Sequence, residues 1–203
     1  MSFSTYFAKI ISYLFHPLLL PTIGLFLIFS LDKTGLWSPS ADMQLYLYAL
    51  IFLSTFFLPL LSALVLLRIN YISSLEMKTR EERKLPYLIT AVSYFSAYYF
   101  LMDAPVPILI KALMLGATLV VTSVLIINLL WKVSSHMAGI GGLCGMMLAI
   151  SYRLQINLHG ILIMLFLIAG IIAFSRLKLN VHTSPQVYIG FLLGVAVQLF
   201  LFL

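Results

Sequence analysis

Three short polar segments interrupt an otherwise apolar chain, and each carries side chains able to hold an anion. The first is Glu76-Met77-Lys78-Thr79-Arg80-Glu81-Glu82-Arg83-Lys84-Leu85-Pro86, a cluster of ammonium and guanidinium donors that ends where a hydrophobic stretch begins. Its plain reading is a solvated loop of alternating charge, with Pro86 in the first turn of a helix. The second, Lys132-Val133-Ser134-Ser135-His136, closes one apolar stretch and opens the next, with Gly139, Gly141 and Gly142 following. A helix opening with Ser and His offers free backbone N–H groups and a positive dipole end, which suit an anion. The plainer reading is an N-cap serine, an interfacial histidine and glycines for close helix packing. The third, Ser175-Arg176-Leu177-Lys178-Leu179-Asn180-Val181-His182-Thr183-Ser184-Pro185-Gln186, again sets an Arg and a His at the edge of an apolar stretch. Singly, each segment is an ordinary loop. Three at one face of a bundle are harder to dismiss.

Composition says what kind of scaffold carries these segments. Of 203 residues, 63% are hydrophobic and only 9% charged, with a mean hydropathy of +1.11. A soluble domain carries about 25% charged residues, so this chain must use lipid as part of its solvent. Apolar stretches run from about Phe7 to Leu31, Leu45 to Leu67, Pro86 to Met102, Pro107 to Leu130, Met137 to Tyr152, Leu158 to Phe174 and Val187 to Leu203. No alternating ten-residue strands suggest a barrel, which leaves helices. The expectation is an all-α, polytopic transmembrane helical bundle of about seven spans (six to seven), forming a single integral membrane domain over residues 1–203. At about 20 residues per span, seven spans use roughly 140 residues, and no soluble domain fits in the remainder. Lys9 precedes a run too long for a signal-peptide core, so the first span reads as retained. Cys144 is the single cysteine, which excludes an internal disulfide.

Counting crossings from the N-terminus places Arg68–Leu85, Trp131–His136 and Ser175–Gln186 on the same side of the membrane, side A. Nine of the twelve basic residues fall there (Lys9, Arg68, Lys78, Arg80, Arg83, Lys84, Lys132, Arg176, Lys178), against Lys33, Lys111 and Arg153 on the other side. The positive-inside rule makes side A cytoplasmic, although basic residues recruited to an anion would give the same bias. The net charge of +6 points away from nucleic acid, because basic residues in such chains set topology or meet lipid phosphates. His16 precedes Pro17 in the first span; it reads as satisfying a backbone group at a proline kink, with an approach to side A as the other reading. His159 falls on the opposite side.

The third segment resembles the last signature of the type 2 phosphatidic acid phosphatase (PAP2) superfamily, Ser-Arg, five residues, His, three residues, Asp. Ser175, Arg176 and His182 match in identity and spacing, and Gln186 stands in place of the Asp. The second segment is similar to that family's Pro-Ser-Gly-His, kept as Ser134 and His136 with Val133 and Ser135 at the other two positions. The first resembles Lys, six residues, Arg-Pro. Lys78 and Pro86 match, Leu85 occupies the Arg position, and Arg83, two residues earlier, could substitute by reaching from the preceding turn. The resemblance covers about residues 78–203 in the family's segment order, so the chain looks like a divergent member with a PAP2-like core.

What the resemblance implies is metal-independent hydrolysis of a lipid phosphate or polyprenyl diphosphate, with no cofactor. His182 would attack phosphorus to form a phosphohistidine, and His136 would protonate the leaving alkoxide. Lys78, Arg83 and Arg176, with Ser134 and Ser175, would hold the phosphoryl oxygens. An imidazole serves as nucleophile or acid near neutral pH, while Arg stays charged and binds oxygens in pairs. The family Asp would orient His182 and offset its charge. Gln186 can accept the ring N–H but brings no charge; a carboxylate substitute on side A would have to come from Glu76, Glu81 and Glu82, with Glu81 or Glu82 the expected one. The implied partners are a membrane phospholipid or isoprenoid phosphate and the bilayer, and the implied location is a bacterial inner membrane. The alternative is a catalytically weak or inactive relative that binds or moves phospholipids. A transporter-like bundle is a third reading. Prenyltransferases and CDP-alcohol transferases need clustered Asp residues for Mg²⁺, and neither an Asp-rich motif nor H-E-x-x-H is present.

Overall fold

The computed structural model describes residues 2–31, 39–77 and 79–203, and among these every regular element is helical. The helices are α1 (Phe3–Leu14), α2 (Leu20–Leu31), α3 (Ala41–Phe52), α4 (Leu58–Arg68), α5 (Lys84–Met102), α6 (Ile108–Leu130), α7 (Ser135–Leu154), α8 (His159–Lys178) and α9 (Ser184–Phe202). They form seven segments long and apolar enough to cross a membrane: Phe3–Leu31, Ala41–Arg68, Glu81–Met102, Ile108–Leu130, Ser135–Leu154, His159–Lys178 and Ser184–Phe202. The chain is an integral, multi-pass membrane protein. Four of the segments contain their apolar runs, and Ile108–Leu130, His159–Lys178 and Ser184–Phe202 each fall one residue short at one end.

Two spans are interrupted, both at proline. In the first, Pro17 cannot donate to the Tyr13 carbonyl, so α1 stops at Leu14 and a 3-10 turn, Pro17–Leu19, leads into α2. In the second, the turn Leu53–Phe57 is a π-helix. The Leu58 N–H goes to the Leu53 carbonyl, and Pro59 has no N–H to offer. The carbonyl of Ser54 has then lost both backbone donors, and that of Thr55 has lost its i+4 donor. Inside a bilayer no water replaces them. Helix α5 supplies the substitutes: Ser93 Oγ donates to the Ser54 carbonyl at 2.6 Å, and the Tyr94 hydroxyl donates to the Thr55 carbonyl at 3.3 Å.

The chain divides into two compact units, Met1–Pro17 with Val120–Leu203, and Leu18–Leu119. In the first unit α7 and α9 are locked by a reciprocal glycine stripe. Gly141 and Gly145 of α7 lie against the backbone of Phe191 and Val195 in α9, and Gly190 and Gly194 of α9 lie against Ser134 and Ala138. A Cβ at Gly145 would stand 2.6 Å from the Val195 carbonyl oxygen, and one at Gly190 2.7 Å from that of Ser134. At Gly141 and Gly194 the clash, with the Phe191 and Ala138 oxygens, would be closer still. Contacts that advance together along both chains make the two helices parallel, so their N-termini share one end. Helix α7 is the most enclosed span, with 67% of an 18-residue stretch of it buried against 22–39% for the matching stretches of the other six.

Candidate functional site

The second and third polar segments meet at the shared end of α7 and α9. Ser134 is the N-cap of α7, and its Oγ accepts from the Met137 N–H at 3.4 Å. Its own N–H donates to the Gln186 carbonyl oxygen at 3.2 Å, which ties the two helix starts together. Ser134 is fully buried.

Between α8 and α9 the chain reverses through Asn180, whose φ of 53° is the left-handed conformation that ends helices. His182 follows, 7% exposed, immediately before Thr183, the N-cap of α9. Thr183 and Gln186 form a capping box, in which each side chain meets the other's backbone N–H. Gln186 Oε1 accepts from the Thr183 N–H at 3.2 Å and lies 3.1 Å from His182 Nδ1. The backbone donor identifies that Gln186 atom as the oxygen, and an amide oxygen cannot donate, so the hydrogen sits on His182 Nδ1. The basic nitrogen of the neutral ring is Nε2.

His136 has the opposite polarity. Its Nε2–H donates to the peptide oxygen of Ser12 at 3.1 Å, which leaves Nδ1 as the basic nitrogen. Ser12 also receives Arg176, whose Nη1 donates to Ser12 Oγ at 3.0 Å, while that hydroxyl donates to the Ala8 carbonyl at 2.9 Å. The ring of His16 stands edge-to-face with His136, centroids 5.5 Å apart and planes at 76°. The charge of Arg176 acts on both His16 and His136, and His182 lies within electrostatic reach of His136. Three imidazoles and a guanidinium, drawn from α1, α7, α8 and the start of α9, thus gather in one unit.

The remaining expected residues have local engagements. Ser175 is fully buried, and its hydroxyl donates to the Ile171 carbonyl of its own helix at 2.8 Å. Arg83 belongs to the other unit, where it is 5% exposed and its Nε donates to the Met77 carbonyl at 2.8 Å. Lys78 lies outside the described residues. The Glu82 carboxylate accepts from the backbone N–H groups of Ser73 (2.7 Å) and Thr79 (3.3 Å), and the Glu82 N–H returns to Thr79 Oγ1 at 3.4 Å. Glu82 is therefore the carboxylate of a second capping box. Glu81 is exposed and pairs with Arg80 at 3.5 Å. The partner seen at His182 Nδ1 is Gln186.

Charge is segregated between the units. Asp32, Asp42, Glu76, Glu81, Glu82 and Asp103 are all six acidic residues, and every one falls within Leu18–Leu119. All four histidines fall in the other unit, together with Lys9, Lys132, Arg153, Arg176 and Lys178. The unit that holds the cluster therefore carries five permanent cations and no acidic side chain, and Arg176 is the cation that acts on its histidines. Among the described residues, no three His, Cys, Asp or Glu side chains are placed to share a metal ion.

Sequence reasoning missed Ser12 and gave His16 a structural role. Two signals pointed to them. Ser12 and His16 are four apart, hence on one helix face, and the His-Pro pair ends the helix at that point and frees a carbonyl. Comparison with protein-family models, with curated proteins and with solved structures returns no match.

Proposed function

We propose that the chain is a PAP2-like membrane phosphatase that hydrolyses a lipid phosphate or polyprenyl diphosphate in a bacterial cytoplasmic membrane. The observation that carries this reading is the pair of histidines held in opposite tautomers, with His136 and Arg176 sharing Ser12, in a unit without acidic side chains. A neutral His182 offers Nε2 as the nucleophile. As that nitrogen bonds to phosphorus, the ring becomes cationic and its Nδ1–H stays on Gln186. The bond from phosphorus to the leaving oxygen breaks, and that oxygen takes a proton from Nδ1 of a protonated His136. Water, deprotonated by the now neutral His136, then releases phosphate from His182. Each step needs a fixed outer N–H on the ring, and Gln186 and the Ser12 carbonyl are suited to hold them. Arg176 would bind the equatorial oxygens, where a guanidinium is worth most in a site closed to water.

One observation favours the second reading, a relative that binds or moves phospholipids: the acceptor at His182 is a neutral amide. The deciding assay is phosphate release from several lipid phosphates by purified protein in detergent without added metal. Release abolished by His182→Ala and by His136→Ala supports the enzyme. Tight lipid-phosphate binding with no release, in wild type and in folded Gln186→Glu, supports the binding protein and removes the hydrolase reading.

A further inference from the structure

Helix α1 enters the cluster with two residues that the PAP2-like segments do not include. Its end is built so that one backbone carbonyl is left for a side chain. The Ser12 carbonyl would ordinarily accept from the His16 N–H, four residues on. That N–H instead reaches the Tyr13 carbonyl at 3.3 Å, because Pro17 closes the helix in a tighter turn. The Ser12 oxygen therefore takes its hydrogen from His136 Nε2. The same residue's hydroxyl takes one from Arg176, and the imidazole of His16, in the link between α1 and the 3-10 turn, makes a T-shaped contact with His136, ring centroids 5.5 Å apart.

We propose that Ser12 and His16 form a third limb of the site, in which His16 is a positioning residue for His136. The Ser12 carbonyl fixes which nitrogen of His136 carries the permanent hydrogen. The His16 ring, packed across it, keeps the His136 ring in the plane where that bond forms and Nδ1 faces the anion. Arg176, anchored on Ser12 Oγ, holds its own orientation from the same turn of chain. A single helix end would thus set the directions of both the proton donor and the cation. The groups acting on His136 from the elements around it are Arg176 of α8, His16 at the end of α1, and His182 ahead of α9.

The proposal has a kinetic signature only if the phosphatase reading holds, and a spectroscopic one in either case. An acid that is mispositioned harms esters with poor leaving groups and spares those whose leaving group needs no proton. General acid catalysis contributes about 10²–10⁴-fold. His16→Ala is therefore expected to lower kcat on an alkyl lipid phosphate at least about tenfold more than on p-nitrophenyl phosphate. His16→Phe, which keeps a flat ring against His136, is expected to recover most of the difference. Equal losses on both esters, or none on either, would overturn the positioning role. Side-chain spectra of ¹⁵N-histidine-labelled protein in detergent, with inorganic phosphate as the probe, test the same point without turnover. Wild type is expected to show His136 as the Nε2–H tautomer, and His16→Ala to show a mixture of tautomers. A His136 signal unchanged in His16→Ala refutes the proposal. Wild-type protein that releases no phosphate, but shows the tautomer change, refutes only the phosphatase reading.

Discussion

Replacing Gln186 with Glu adds one negative charge to the site and changes almost nothing else. The two side chains have the same length, so a carboxylate oxygen can occupy the position 3.1 Å from His182 Nδ1 and 3.2 Å from the Thr183 N–H. Glu is as good as Gln at the third position of a capping box, and a negative charge in the first turn of α9 adds about 0.3–1 kcal/mol of stability. The hydrogen bond to His182 changes from one with a neutral acceptor, worth about 0.5–1.5 kcal/mol, to a charge-assisted one worth about 1.5–3 kcal/mol. The gain matters most when His182 is cationic, as the proposed phosphohistidine would be. A difference of about 1–2 kcal/mol, tenfold per 1.4 kcal/mol, predicts a kcat increase of roughly 5- to 30-fold. The ceiling is set by the unrelated Ser-His-Asp triad, where exchanging the carboxylate for an amide changes kcat by about 10⁴. The assay is phosphate release from a lipid phosphate, run as a cycle with His182→Ala, because only coupling between the two sites attributes the gain to the imidazole. Folded Gln186→Glu protein with unchanged or lower kcat would refute the orientation argument for His182.

Gly194→Val sets a Cβ against the Ala138 carbonyl oxygen, a backbone atom that cannot move aside as a flexible side chain can. Overpacking of this kind costs about 1–3 kcal/mol or more, read as a lower Tm in detergent together with loss of activity as the α7 and α9 starts part. Gly170→Ala, where a Cβ meets nothing within 4 Å, is expected to hold or raise Tm because Ala favours a helix by up to about 1 kcal/mol. A similar fall for both would refute the interlock. Tyr94→Phe leaves the Thr55 carbonyl without its hydroxyl donor inside the membrane and is expected to cost about 1–3 kcal/mol. In Pro59→Ala the restored N–H reaches the same carbonyl, so adding Pro59→Ala to Tyr94→Phe is expected to recover stability. Strict additivity in thermal melts would show that the π-turn is held by something else.

The spans were legible because the signal is cumulative. Some 20 apolar residues per crossing outweigh any local ambiguity, and the seven membrane-crossing segments begin and end within a few residues of the apolar runs. Pairwise packing was less legible. The sequence contains two Gly-x-x-x-Gly patterns, Gly141 to Gly145 and Gly190 to Gly194, yet nothing in either says that the other is its partner. At the site, the side chains nearest one another in sequence were readable, and Gln186 at the fourth position after His182 is the clearest case. Ser12 was not, because its contribution is a peptide oxygen freed by Pro17 and a hydroxyl that any span could carry. Ser134, Ser175 and Glu82 show the converse. Each has a residue type suited to ligand binding, and each makes a cap or helix-backbone hydrogen bond that sequence spacing also allowed.

Gln186 stands where binding and catalysis ask for different things. Its local reason is the capping box, which accepts Gln or Glu alike, so helix geometry alone does not select the amide. Electrostatics discriminates between them. The unit that holds the cluster has five permanent cations and no acidic side chain, and a carboxylate at 186 would be the first negative side chain in it. That carboxylate would stabilise a cationic His182, but it would also repel the phosphate of the proposed substrate. The same substitution that raises kcat is therefore expected to raise KM or weaken inorganic phosphate binding. A variant in which both kcat and affinity rise would mean that residue 186 acts on His182 by geometry alone. A fall in affinity with no gain in kcat would mean that this chain's cluster is tuned to hold an anion rather than to break its ester bond.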